Sequence, residues 1–261
     1  MTPQMTAMPR PLFSVIIPVF NRGAELKKTL ASVLSQDPAL VECIVQDGGS
    51  TDGTVAVLQA LGDRVQWASE RDAGVYDAMN RAMGRATGEF FYFLGAGDTL
   101  RPGILKAVAD VLPRGPATYF YGNVFSEAHE RVYNGRYGRW KISRINVCHQ
   151  AVFCHRGLFE RLGPFDTRYK IMADHVWNVK AFGDSSVRKT YSDLVIADYA
   201  AGGLSHYSPD PQLLTDRLSL IRAHLGPGVY ALNRLASLLP AGLKEARFQA
   251  YRKLREAVRK R

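Results

Sequence analysis

Cysteine is scarce: three residues (Cys43, Cys148 and Cys154) in a chain of 261, an odd number without metal-ligand spacing. That argues against a disulfide framework and for a reducing compartment. Long apolar runs are missing as well. The longest stretch without Asp, Glu, Lys or Arg covers residues 115–126, twelve positions, against roughly 17–25 apolar residues for a membrane-spanning helix. The first eleven residues, MTPQMTAMPRP, have no apolar core and read as no signal peptide. Neither GxGxxG after the first strand nor GxxxxGK[ST] occurs, which disfavours dinucleotide and P-loop binding. Acids are outnumbered, 24 against 34 Lys plus Arg, for a net charge of +10. What is present is an ordinary globular composition, 46% hydrophobic and 22% charged, which excludes disorder for most of the length. The length suits one large α/β domain, or one domain with a small appendage.

The positive excess is local. Residues 244–261 hold eight bases against two acids, a net +6, and the rest of the chain carries only +4. Leu243, Ala246, Ala250, Leu254 and Ala257 recur every three to four residues there, one face of a helix. The preceding segment 229–239 is apolar and ends at Pro240 and Gly242. Two readings stand: short helices lying on an anionic membrane surface, or a solvated terminal helix whose apolar piece packs on the core. Nucleic acid is not expected, because no known binding module is present and only Phe248 and Tyr251 offer stacking rings.

The first hundred residues alternate strand and helix. Strands are expected at 13–19 (FSVIIPV), 41–46, 65–69 and 89–94, and helices at 24–36, 54–61, 75–86 and 102–112. This order implies a largely parallel sheet covered on both faces. Ligands then bind beyond the carboxyl ends of the strands. Polar residues concentrate there: Phe20-Asn21-Arg22-Gly23, Asp47 to Thr54 (DGGSTDGT), Glu70-Arg71-Asp72-Ala73-Gly74 and Gly95-Ala96-Gly97-Asp98. In the second cluster Ser50 or Asp52 suits a helix N-cap. Two acids and three glycines exceed what one cap needs.

These blocks carry a resemblance. PVFN (18–21), QDGGSTDGT (46–54), SERDAGVYDAMNRAMGRATGEFFYFLGAGD (69–98) and MADHVWN (172–178) resemble the family 2 glycosyltransferases of GT-A fold, across residues 13–206. The nearest flavour is the bacterial exopolysaccharide and cell-envelope type. The resemblance implies a Rossmann-like, mostly parallel sheet with helices on both faces, plus C-terminal amphipathic helices. It implies a metal-dependent, inverting transferase of hexosyltransferase type with Mg²⁺ or Mn²⁺ as cofactor. The expected organisation is a disordered stretch 1–11, a transferase domain 12–226 and a basic helical extension 227–261. Within the domain, 12–112 would bind the nucleotide-sugar and 113–226 the acceptor.

Roles follow residue by residue. Pro18 and Asn21 would border the nucleotide, Asp47 would bond the base, usually uracil, and Asp72 would assist near base and ribose. Asp77 and Asn80 share one helix face and either line the donor pocket or brace the neighbouring loop. Ala96 counts with the donor contacts. Asp98 fits the metal position, and Gly97 stands where many relatives carry a second acid. Oxygen ligands suit either ion. A cap on the helix near Pro102 is the alternative for Asp98, at poor spacing.

Beyond residue 118 the pattern is irregular, with strands expected at 118–122, 132–134 and 195–200 and helices near 157–162 and 173–182. Segment 148–153, with His149 and Gln150, resembles the stretch beside the family's active site. Asp174 would be the general base that takes the acceptor hydroxyl's proton; the alternative is a helix cap. Gly202 to His206 resembles a loop closing over the diphosphate, with His206 joining the metal. The expected partners are a nucleotide-sugar, a glycan or polyprenyl-linked acceptor and an anionic membrane surface. The expected location is cytoplasmic, peripheral on the inner face of the plasma membrane. Rival readings are a metal-impaired scaffold, suggested by Gly97, and a nucleotidyltransferase, whose usual Gly-rich basic loop the PVFNRG segment lacks.

Overall fold

The computed structural model describes residues 10–200 and 210–238. The expected loop 202–206, with His206, and the basic tail from residue 244 lie outside the described residues.

The first half forms as the alternation predicts. Strands β1 (Phe13–Val19), β2 (Val41–Asp47), β3 (Gln66–Ser69) and β4 (Phe90–Phe93) pair in parallel. Every residue of β1 and β4 is buried, which is why both read as continuous apolar runs. Helices α1 (Gly23–Leu34), α2 (Thr54–Gln59), α3 (Val75–Met83) and α4 (Ile104–Val111) make the crossovers. Leu26, Leu30 and Val33 seat α1 on one face, and Tyr76, Met79 and Ala82 seat α3 on the other.

The second half departs from the expectation in its details. Strand β5 is two residues (Thr99–Leu100), and β6 runs on from the expected stretch to Ser126 (Thr118–Ser126). β7 (Arg131–Tyr133) pairs with β6, and β8 (Val152–His155) inserts antiparallel between β4 and β6. β9 (Arg188–Tyr199) starts seven residues before the expected strand, since polar Arg188 to Asp193 mask it. The nine-stranded sheet has the order β3-β2-β1-β4-β8-β6-β9-β5, with β7 beside β6. It is mostly parallel, with helices on both faces.

Helices α5 (Arg139–Ile142), α6 (Arg156–Leu162), α7 (Ala173–Gly183), α8 (Pro211–Leu225) and α9 (Pro227–Leu238) follow among the described residues. α8 was not legible as an element. It begins at Pro211 under an Asp210 cap, whose Oδ1 accepts from the Gln212 and Leu213 N–H groups at 3.1 and 3.2 Å. Asp210 Oδ2 accepts from the Ile171 and Met172 N–H groups at 2.9 and 3.2 Å, just ahead of α7. α9 is docked on the domain: Asn233 is buried and its amide donates to Ser143 Oγ at 3.0 Å. Its Leu232, Leu235 and Leu238 remain 53–75% exposed. Among the described residues no helix is long and apolar enough to cross a membrane.

Candidate active site

The loops after β1 and β2 are welded together. Asn21 takes a positive φ of 50°, its N–H donates to Ser50 Oγ at 2.7 Å, and its side-chain oxygen accepts from the Thr51 N–H at 2.8 Å. Asp52 Oδ2 accepts from the Gly23 N–H at 3.1 Å, and its Oδ1 accepts from the Thr54 N–H at 3.0 Å. The surplus of acids and glycines in the second cluster is thereby explained by the joining of two loops.

Asp47 belongs to the same framework. It is 0% exposed. Its Oδ2 accepts from the Gly49 and Ser50 N–H groups and from Ser69 Oγ, at 3.1, 2.9 and 2.6 Å, and Oδ1 accepts from Ser50 Oγ. Three of these bonds fall on Oδ2 and one on Oδ1, so Asp47 orders the loop while Oδ1 keeps room for one further donor. Pro18 is buried in β1 opposite Gln46.

Asp72 stands differently. Its Oδ1 accepts from the Gly74 N–H at 2.9 Å, and its Oδ2 lies over Gly48, where a β-carbon would come within 2.8 Å of it and 3.3 Å of the Phe20 ring. Phe20 itself is 59% exposed. An exposed ring beside a partly exposed carboxylate is a stacking surface with a polar edge, and the sequence reading had not singled Phe20 out. Its signal was available, as an aromatic directly after an apolar strand.

Asp77 and Asn80 are braces. Asp77 Oδ2 accepts from the Ala73 N–H at 3.0 Å and pairs with Arg81 at 3.0 Å; the Ala73 contact first, then Arg81, holds its pKa below the ordinary value. The Asn80 amide pairs in both directions with the Phe165 backbone, at 2.8 and 3.0 Å. Of the two roles open to this pair, bracing is the one the geometry supports, because their polar atoms are already engaged.

Asp98 lies at the carboxyl edge of the sheet, buried, with Ala96 bridged to it. Its Oδ1 accepts from the Ala200 N–H at 2.9 Å and its Oδ2 from Gln150 Nε2 at 2.6 Å. It does not cap α4, whose N-cap is Gly103. Burial pushes its pKa up, against the opposing bonds from Gln150 and Ala200. A buried carboxylate with that bias gains from a nearby cation. Among the described residues no group of three His, Cys, Asp or Glu could hold a metal. Mg²⁺ is commonly held by one or two carboxylates together with substrate phosphates, and Asp98 is the carboxylate that could take that part here. Gly97 adopts φ +111°, a region an acid would occupy only with strain.

Asp174 sits in the first turn of α7, 6% exposed. Oδ1 accepts from the Tyr76 hydroxyl and from the His175 N–H, each at 2.8 Å, and Oδ2 from Asn146 Nδ2 at 2.7 Å. His149 Nδ1 is 3.5 Å from Oδ2. Burial works to raise the Asp174 pKa, but the hydrogen bond and charge of His149, with the Tyr76 hydroxyl, outweigh it and leave the pKa below the ordinary value. His149 is the more open of these partners. It also acts electrostatically on Asp98, so the two candidate carboxylates share it. His175 faces away, with Nε2 2.7 Å from the Ile142 carbonyl. All three cysteines are free, and burial pushes the Cys43 thiol up to about 12. Asn146 and the Gln150 clamp on Asp98 escaped the sequence reading, because only the fold brings residues so distant in sequence together.

With this geometry in hand, comparison with known proteins is decisive for the family. The model of the family described as "Glycosyl transferase family 2" matches residues 14–178. The chain belongs to that family. It is a glycosyltransferase. A "PGL/p-HBAD biosynthesis glycosyltransferase" of Mycobacterium tuberculosis is 35% identical over 215 residues, 79% of this chain and 84% of that protein. A Campylobacter jejuni "GalNAc(5)-diNAcBac-PP-undecaprenol beta-1,3-glucosyltransferase" is 34% identical over 122 residues, 45% of this chain and 39% of that one. Among solved structures, Staphylococcus aureus TarS 1-349 in complex with UDP overlays with a TM-score of 0.63 at 19% identity. The overlay covers 81% of this chain, which spans only 64% of the TarS chain. A Pyrobaculum calidifontis mannosyltransferase in complex with GDP-Man and Mn²⁺ overlays with a TM-score of 0.59 at 18% identity, over 93% of this chain and 80% of that one. At these identities the overlays establish the GT-A fold of this glycosyltransferase.

Proposed function

We propose that this glycosyltransferase moves a sugar from a UDP-sugar to a glycan or polyprenyl-linked acceptor in cell-envelope biosynthesis, with inversion at the anomeric carbon. The observation that carries the reading is a pair of buried carboxylates, Asp98 and Asp174, that both feel His149. Asp98 lies at the carboxyl edge of the sheet, and Asp174 is biased toward its ionised form.

The base stacks on Phe20 with Asp72 at its edge, and the welded loops Asn21–Thr51 and Asp47–Ser69 hold that platform still. Asp98 would hold Mg²⁺ or Mn²⁺ with the donor diphosphate, where the ion offsets negative charge on the leaving group. Tyr76 and Asn146 fix the Asp174 carboxylate. The acceptor hydroxyl approaches on the His149 side and gives its proton to Oδ2 as its oxygen attacks the anomeric carbon. The nucleoside diphosphate departs from the opposite face, which inverts the centre without a covalent intermediate.

The relatives support the substrate class. One is named for a PP-undecaprenol acceptor and one for PGL/p-HBAD biosynthesis, while the overlaid structures carry UDP or GDP-Man with Mn²⁺. The exposed leucines of α9 and the net +6 of residues 244–261 support work at the cytoplasmic face of an anionic membrane. Screening UDP-, GDP- and dTDP-sugars for nucleoside diphosphate release, with the anomeric product assigned by NMR, tests the reading. Retention of configuration, or release from no donor, would refute it.

A further inference from the structure

The most densely basic stretch of the described chain lies away from the donor loops. Residues 131–144 contain Arg131, Arg136, Arg139, Lys141 and Arg144 and no acid. Arg136 and Arg139 meet Lys189 of β9 around a cleft of about 320 Å³. That is the lower end of the size of small-ligand sites, roughly 300–1,000 Å³. Tyr121, Tyr191 and Phe182 supply aromatic wall.

None of the three cations is locked in an ion pair, although the Asp184 carboxylate, paired with Arg161, acts on Lys189 from farther away. Among the described residues none of them has a carboxylate within ion-pair distance. The Arg136 guanidinium lies 5.0 Å from the centre of the Tyr191 ring. Arg139 Nη2 donates to the Gly183 carbonyl at 3.2 Å, and Lys189 Nζ to the Asp184 carbonyl at 2.5 Å. A ring face and two neutral carbonyls orient charge without cancelling it. Burial lowers the Lys189 pKa, as expected of a cation partly withdrawn from water. Like charges on one wall repel, and a polyanion relieves that repulsion. A single carboxylate would leave two cations unbalanced, whereas a diphosphate linked at both ends spreads two negative charges over four free oxygens that three cations can share, and guanidinium forks suit phosphate oxygens.

The cleft is mechanically joined to the base. Tyr137, also on its wall, donates its hydroxyl proton to the Asn146 carbonyl at 2.7 Å, and the Asn146 side chain holds Asp174. Phe182 lies on the helix that begins beside Asp174, eight residues on, or about 12 Å along its axis. Exposed Trp140 and Ile145 follow in the chain, placing apolar surface next to the cations.

We propose that this cleft receives the diphosphate of a prenyl-diphosphate-linked acceptor, separately from the donor diphosphate at Asp98. The proposal rests on the transferase reading above and names how the acceptor is held.

The test is calorimetric titration of the full chain, pre-saturated with UDP and Mn²⁺ to fill the donor site, with farnesyl diphosphate and then inorganic pyrophosphate. One equivalent of farnesyl diphosphate should bind. Arg136→Gln, Arg139→Gln and Lys189→Gln should each weaken it about tenfold, the scale of one charge-assisted hydrogen bond. The triple variant should not bind, and UDP affinity should stay within twofold throughout. Unchanged farnesyl diphosphate affinity in the triple variant, or no saturable binding to the wild type, would overturn the proposal. Pyrophosphate binding with farnesyl diphosphate excluded would overturn the lipid-linked assignment. Failure of UDP to bind refutes the donor reading instead, and the titration repeated without UDP still tests the cleft.

Discussion

His149 Nδ1 lies 3.5 Å from Asp174 Oδ2, the oxygen that also accepts from Asn146, while Oδ1 accepts from Tyr76 and the His175 N–H. The proposed acceptor hydroxyl comes in beside this imidazole. Asp174→Asn keeps the size and several hydrogen bonds but removes the proton acceptor. Transfer should fall by about 10²–10⁴-fold, the usual contribution of a positioned base, while UDP affinity stays within twofold. Steady-state rates with a UDP-sugar, beside UDP titration, decide it. A loss of UDP binding equal to the loss of rate would remove Asp174 from the role of base.

The same residue predicts an acid signature. Its folded pKa is below the ordinary value, and the unfolded value is about 3.9. A depressed folded pKa stabilises the native state above the unfolded value, and this is lost as pH falls through the folded one. The stability difference between wild type and Asp174→Asn should be flat from neutral pH to about 5 and shrink below about 4. Asp98 has the opposite sign, since its folded pKa is raised. Wild type should gain on Asp98→Asn as pH falls through the folded Asp98 pKa. Urea midpoints across pH report both, and a wild-type advantage over Asp174→Asn that grows on acidification contradicts the assignment.

Asp98 carries the metal prediction. UDP with Mn²⁺ should raise the melting temperature of the wild type above the level reached with UDP alone, because a ligand that binds only the native state stabilises it. In Asp98→Ala the Mn²⁺-dependent increment should vanish and the UDP increment remain. An increment that persists in the variant places the ion elsewhere.

Asn80→Ala separates bracing from donor binding. The substitution leaves the Phe165 N–H and carbonyl without their partners, at a cost of about 1–3 kcal/mol. Chemical denaturation should show that loss while KM for the donor is unchanged. A raised KM at unchanged stability would return Asn80 to the donor pocket.

The leucine stripe of α9 predicts surface attachment. Leu235→Glu with Leu238→Glu should weaken co-sedimentation with phosphatidylglycerol-rich vesicles by at least about tenfold, since each leucine contributes roughly 1.5–3 kcal/mol when fully buried. Transfer to a soluble acceptor should be unaffected. Equal sedimentation of variant and wild type would assign the stripe to another contact.

The sequence made the first half of the fold legible because its strands are buried on both faces, as in FSVIIPV, and its helices keep their apolar spacing. It concealed β9, whose first half is an edge strand rich in polar residues, and β8, whose four residues need β4 and β6 on either side to be a strand at all. The site was legible in part for the same reason. Loops after parallel strands pointed to the carboxyl edge of the sheet, where Asp98 lies buried. The position of Asp47 did not announce its bonding: only the fold shows Ser69 beside it. Phe20 was visible as a residue type, and its exposure was not.

The match to the family model ends at residue 178, yet Asp210 grips the backbone of Ile171 and Met172 with one oxygen while the other starts α8. That carboxylate is a rivet between the segment seating the base and the helices that follow. A chain cut at the end of that match would therefore keep Asp174 but lose the carboxylate that grips the segment seating it.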